Sequence, residues 1–154
     1  MADMTDPAAK ERAKAVGEAM YAQDRASNAL GIQVDDIAPG FARCSMTVRE
    51  DMINGHDICH GGIIFTLADT AFAFACNACD RLTVALAAQI TFTSPAHLND
   101  VLIATATEQN RTQRTGVYDV KVTTEDGRDI ALFRGNSYET RRSVLGAGTD
   151  RSSS

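Results

Sequence analysis

Apolar positions change period three times along this chain. Near the start, Ala9, Ala13, Val16 and Met20 recur at spacings of four, three and four, while Lys10, Glu11, Lys14 and Glu18 fill the opposite side. That period predicts an amphipathic helix from about Ala8 to Asp24. Asp6 supplies its cap and Pro7 its first residue. From Phe41 to Arg49 the period falls to two. Ala42, Cys44, Met46 and Val48 point one way, and Arg43, Ser45, Thr47 and Arg49 the other. This is a strand, and Gly31 to Ala38 reads as its hairpin partner across the Pro39-Gly40 turn.

The period then lengthens again. Gly61 to Asn77 is a run of seventeen residues, glycine-free after Gly62 and rich in Ala, Leu and Phe. It is too long for an ordinary strand, so it predicts a helix, and one so apolar on nearly all sides must be wrapped by other elements. Four strand-like runs follow, at Val84 to Thr93, Val101 to Gln109, Gly116 to Thr124 and Ile130 to Glu139. Ser94-Pro95, Asn110 to Thr115, and Glu125-Asp126-Gly127 separate them. Short links favour antiparallel neighbours. The expected architecture is α+β, one antiparallel sheet curled around a long central helix, in one domain spanning residues 1–142. Residues 143–154, rich in Gly, Ala, Ser and Thr, predict a disordered tail.

Composition narrows the function classes. The length of 154 residues fits one domain, and 44% hydrophobic residues suffice for a core. A net charge of −5 argues against a nucleic-acid partner, although a local pocket for an anionic ligand is compatible with it. The first twenty residues lack the apolar core of a signal peptide. Thr66, Asp69, Thr70 and Asn77 interrupt the most apolar run, which argues against a membrane span. Four cysteines in a chain of this length do not form a disulfide framework, so a reduced, cytoplasmic setting is expected.

Asp69 is the residue out of place. It shares a helix face with Thr66 and Thr70, continued by Ala73 and Asn77. Burying a bare carboxylate is costly, so the acid either pairs with an arginine or backbone donors, or has a shifted acidity that serves chemistry. At the start of the same helix stands His60-Gly61-Gly62. First-turn N–H groups are free there, the helix dipole is positive, and glycine admits close approach, which together suit an oxyanion. A plain tight turn is the other reading. Gly61 and Asp69 are eight residues apart, about 12 Å along one helix. A single substrate cannot touch both from one straight helix, so shared work requires Asp69 from one subunit and Gly61 from another in a two-fold dimer. His56, Asp57, Cys59 and His60 match no trusted metal spacing, and no metal is expected. Cys76 and Cys79 read as small packing residues at a helix end. Neither a dinucleotide fingerprint nor a phosphate loop occurs.

The segment "NGHDICHGGIIFTLADTAFAFACN", followed by "QITFTSPA", "RTGVYDVKV" and "ALFRGNSYE", resembles the hot-dog-fold thioesterases of the phenylacetic-acid degradation type, the PaaI proteins. The likeness covers about Gly17 to Thr140. It implies a hot-dog fold and a cytosolic hydrolase of acyl-coenzyme A, with phenylacetyl or hydroxyphenylacetyl as the acyl group and no cofactor. It also implies a homodimer that builds the site and assembles into a homotetramer. By the resemblance, Asp69 activates water or attacks the thioester carbon, and the Gly61 N–H holds the oxyanion. Asn54 positions water or thioester, and His60 orients the site or assists thiolate departure. Gly62 and Thr70 would line the substrate site, and Arg111, Arg114 and Arg134 are candidates for the phosphates of coenzyme A. One departure stands out: where many relatives carry a hydroxyl on the strand after the central helix, this chain reads Ala85-Leu86-Ala87. The rival readings are a hot-dog hydratase or dehydratase acting on acyl thioesters, and a non-catalytic acyl-coenzyme A binding module.

Overall fold

The computed structural model describes residues 3–148. Asp6 caps the first helix as expected, its carboxylate accepting the Ala8 amide at 3.1 Å. Helix α1 runs Pro7–Gln23 and buries Ala13, Val16 and Gly17. A short second helix follows, α2 (Arg25–Ala29), with Asp24 as its cap. The periodicity does not show it, because five residues are too few to establish a period. Gly31 closes α2 with φ of 71°, a left-handed stop that glycine adopts at little cost. The first strand therefore begins two residues later than expected.

Strands β1 (Gln33–Ala38) and β2 (Phe41–Thr47) form the expected hairpin. Helix α3 spans Gly61–Asn77. Strands β3 (Thr83–Phe92), β4 (Val101–Arg111), β5 (Thr115–Thr124) and β6 (Asp129–Glu139) complete the sheet. Its order is β1-β2-β4-β5-β6-β3 and every pairing is antiparallel. Helix α3 packs against all six strands, so the sheet does wrap it. Phe72 projects from α3 into the hollow left by Gly135 of β6, where a Cβ would lie 2.8 Å from the ring. Tyr118 and Phe133 flank the same ring, with centroids at 5.6 and 5.8 Å.

The wrapping is incomplete on one side. Gly62 is exposed, and Thr66, Asp69 and Ala73 are half-buried, at helical spacings of four, three and four. This stripe lies between two covered flanks of α3. On one flank Phe65 and Phe72 meet β6; on the other Thr70 meets Ser27 of α2.

The two sheet edges differ. Helix α1 covers β1. Strand β3 has no neighbour beyond it, and none of its ten residues is buried. It bulges at Leu86, which is skipped in the pairing with β6 and stands 61% exposed. The segment expected as a tail begins with a turn: the Asp80 carboxylate accepts Ser143 Oγ and the Leu145 amide, each at 2.9 Å. Residues 149–154, the rest of that expected tail, lie outside the described residues.

Candidate active site

The loop before α3 is built around Asn54. Its backbone N–H donates to the Ile58 carbonyl at 2.8 Å, and its Oδ1 accepts the amides of His56 at 2.9 Å and Ile58 at 3.4 Å. The loop closes through an Ile53–Cys59 bridge. The Asn54 side-chain oxygen is therefore committed to the loop, and only its NH2 group is left as a donor to a visitor.

His60 then caps α3. Its Nδ1 accepts the Gly62 amide at 3.0 Å, so this nitrogen is occupied by the helix cap and Nε2 is the ring nitrogen left to face outward. The His60 carbonyl accepts the amides of Ile63 at 3.0 Å and Ile64 at 3.3 Å. Of the first-turn amides, that of Gly61 alone has no acceptor among the described residues. It sits where the positive end of the helix dipole adds to its pull on an anion.

Gly61 is also crowded. A Cβ there would lie 2.9 Å from Cζ of Phe92. The glycine makes room for an aromatic ring at the end of β3, in addition to any room it makes for a ligand.

Asp69 lies two turns further along, on the half-open stripe. No ion pair or hydrogen bond engages its carboxylate among the described residues. Neither of the structural explanations for a buried acid, an arginine partner or backbone donors, applies to it. Burial raises its pKa above the ordinary carboxylate value. One turn before it, Thr66 donates to the Gly62 carbonyl at 2.9 Å.

The remaining expected residues are dispersed. Thr70 is 7% exposed, with its hydroxyl donating to the Thr66 carbonyl at 2.7 Å and meeting Ser27 Oγ at 3.2 Å. Arg134 is on the outer sheet face in a two-pronged pair with Asp119, at 2.7 and 2.9 Å. Arg111 ends β4 beside Glu108 and Cys79. Arg114 lines a surface cleft with Arg81 and Arg141. Arg111 and Arg114 lie near Cys76 and Thr83, at the far end of α3 from Gly61. Strand β3 carries no hydroxyl between Val84 and Ala88.

Cys59 and Cys76 are unsuited to attack. Burial pushes the Cys59 thiol up to about 11 and that of Cys76 up to about 12, and a protonated thiol is a poor nucleophile. All four are free. Among the described residues no three His, Cys, Asp or Glu side chains gather as a metal site, and no helix is long and apolar enough to cross a membrane.

One helix thus offers an unengaged amide at its positive end and an unengaged acid farther on. This is equipment for attack on a carbonyl carbon with stabilisation of the resulting oxyanion. Comparison with known proteins gives the family. Residues 56–131 match the family model of the thioesterase superfamily. The chain is 44% identical to the acyl-coenzyme A thioesterase PaaI of Escherichia coli over 128 residues, 83% of this chain and 91% of the relative. The chain belongs to the PaaI-type hot-dog thioesterases. The solved structure of the E. coli PaaI protein superposes on this thioesterase with a TM-score of 0.85, at 42% identity over 87% of this chain and 97% of the other. A mutant of the phenylacetic acid degradation protein PaaI from Thermus thermophilus gives 0.73 at 37% identity, over 76% of this thioesterase and 100% of that chain.

Proposed function

We propose that this thioesterase hydrolyses acyl-coenzyme A in a site shared by two protomers, with Asp69 from one and the Gly61 amide from its partner. The observation that carries this reading is that α3 holds two groups left without hydrogen-bond or ion-pair partners among the described residues, the Gly61 N–H and the Asp69 carboxylate. About 12 Å of helix separates them, so they meet on one substrate only across an interface. The bare edge of β3, with Val84, Leu86 and Phe92 exposed, suits such an interface, because unpaired strand edges invite a second strand. A two-fold joint along that edge is antiparallel. It directs the far end of one protomer's α3, with Arg111 and Arg114, toward the Gly61 end of its partner, where they are candidates to meet the phosphates of coenzyme A. Two such dimers would form the tetramer.

In this site the Asp69 carboxylate takes a proton from water as the water oxygen bonds to the thioester carbon. The carbonyl oxygen becomes an oxyanion on the Gly61 N–H, and the Asn54 NH2 group positions the water or thioester. Collapse breaks the carbon–sulfur bond, and the coenzyme A thiolate leaves and is protonated. Direct attack by Asp69, with hydrolysis of the resulting anhydride, uses the same geometry. A thiolate leaves readily, so the route calls for no metal or redox cofactor. The acyl-coenzyme A named for the E. coli relative and the phenylacetic acid degradation named for the T. thermophilus one support aryl-acetyl groups as the acyl class. Commitment of His60 Nδ1 to the helix cap favours hydrolysis over hydration by a histidine base.

The test follows free thiol released from phenylacetyl-coenzyme A. Asp69→Asn should abolish turnover with little change in KM, and retained turnover refutes the acid's role. Gly61→Pro, combined in the same chain with Phe92→Leu to clear the ring carbons that a Cβ would meet at 2.9–3.4 Å, deletes the amide hydrogen at a position where helices accept proline. Mixing the two inactive variants should restore about a quarter of the sites, since one site of each mixed dimer keeps both groups. A mixture that stays inactive after confirmed subunit exchange refutes the sharing.

A further inference from the structure

The bare β3 edge ends in a residue that the hydrolytic step does not use. Phe92 is 50% exposed, unusual for a large apolar ring. Its register partner in β6 is the buried Ala131. The ring lies on the helix side of the sheet. Its Cζ, Cε2 and Cε1 would stand 2.9, 3.3 and 3.4 Å from a Cβ on Gly61. The para end of the ring therefore rests on the residue whose amide has no acceptor among the described residues, while the rest is uncovered in the single protomer.

An interface residue alone would not need this placement. Val84 and Leu86, at the other end of the strand, are exposed as well, 47% and 61%, but nothing brings them to the start of α3. Phe92 is the exposed apolar side chain of β3 held against that helix terminus. The ring atoms that would meet a Gly61 Cβ at 2.9–3.4 Å border the residue whose N–H is proposed to hold the thioester oxygen. Ile90, two residues earlier on the same side, is half-buried against the core and extends the apolar wall inward.

We infer that Phe92 is the acyl-selecting wall of the site, its uncovered face packing against a flat apolar acyl group, an aryl-acetyl in preference to an acetyl or a charged chain. Aromatic rings attract one another at offset or edge-on geometries beyond the gain from area alone, whereas an acetyl group is too short to cover the ring. This inference rests on the placement of the thioester at Gly61 proposed above.

The experiment measures kcat/KM for phenylacetyl-coenzyme A and acetyl-coenzyme A in the parent, Phe92→Leu and Phe92→Ala. The alanine variant should lose about tenfold in preference for phenylacetyl over acetyl, with leucine between it and the parent. Leucine keeps the apolar bulk and guards against a variant that merely misfolds. An equal fall for both thioesters in both variants overturns the selecting role, even though the hydrolytic reading stands. A parent that releases thiol from neither substrate overturns the hydrolytic reading, and this inference with it.

Discussion

His60 and Gly62 are joined by a hydrogen bond from the Gly62 amide to the imidazole Nδ1, 3.0 Å long, and that bond decides which amide at the head of α3 is left over. Gly62 is occupied, Ile63 and Ile64 are occupied by the His60 carbonyl, and Gly61 is not. The histidine acts here as a helix cap, a role more often taken by Ser, Thr, Asp or Asn.

His60→Ala should therefore cost about 0.5–2 kcal/mol of stability, the usual effect of removing a cap, and lower kcat by loosening the Gly61 donor. His60→Asn restores a cap acceptor and should recover both. Denaturant melts and thiol-release assays on the three proteins decide it. Activity lost equally in both variants would show that the imidazole itself takes part in the chemistry.

Asp69 should leave a signature in stability as well as in rate. Its folded pKa is raised by desolvation, so the folded state holds the proton more tightly than the unfolded chain. Such a group is neutral to stability below its unfolded pKa, about 3.9, and destabilises increasingly as pH rises toward its folded value. Asp69→Asn should be more stable than the parent at neutral pH, and the gap should close as pH falls toward the unfolded value. The acid limb of kcat/KM should likewise lie above the usual carboxylate range. Thermal melts from pH 4 to 8 test the first expectation, and a gap that widens on acidification would contradict it.

Leu86 is the exposed bulge of the bare edge strand. A lysine there should block strand addition. Leu86→Lys is expected to sediment as a monomer, keep its circular dichroism, and lose turnover by at least about a hundredfold, because half of the shared site is then missing. A fully active monomer would eliminate the two-protomer site.

Thr70 separates packing from binding. With its hydroxyl between the Thr66 carbonyl and Ser27 Oγ, Thr70→Val should cost about 1 kcal/mol and leave KM for phenylacetyl-coenzyme A unchanged. A KM that rises with no loss of stability would place the hydroxyl at the substrate.

Much of the fold was legible from period alone. The boundaries expected for α3, Gly61 and Asn77, are those observed, because a seventeen-residue apolar run opened by two glycines has few other solutions. The β1–β2 hairpin was legible from alternation and one proline-glycine turn. Helix α2 was not, being too short for a period to register. At the site, Asp69 stood out because a charge in an apolar run is visible in one dimension. Thr70 was indistinguishable from it by spacing, since both lie on one broad helix face. The two are about 100° apart around the axis, and α2 packs over Thr70 and leaves Asp69 half-buried.

Residue order was enough to set the six strands, the two long helices and the presence of an acid and a glycine turn on the central one, because hydrophobic period and local caps act over a few neighbours. It did not reveal that Phe92 leans on Gly61, that His60 takes the Gly62 amide and leaves Gly61 free, or that β3 ends the sheet uncovered. The His60 cap turns on a side-chain rotamer, and the other two depend on segments distant in sequence meeting in space. Pairing of β3 with β6 brings Phe92 within reach of the head of α3, and such contacts are settled by packing and by which strand finds no neighbour, not by the residues next in line.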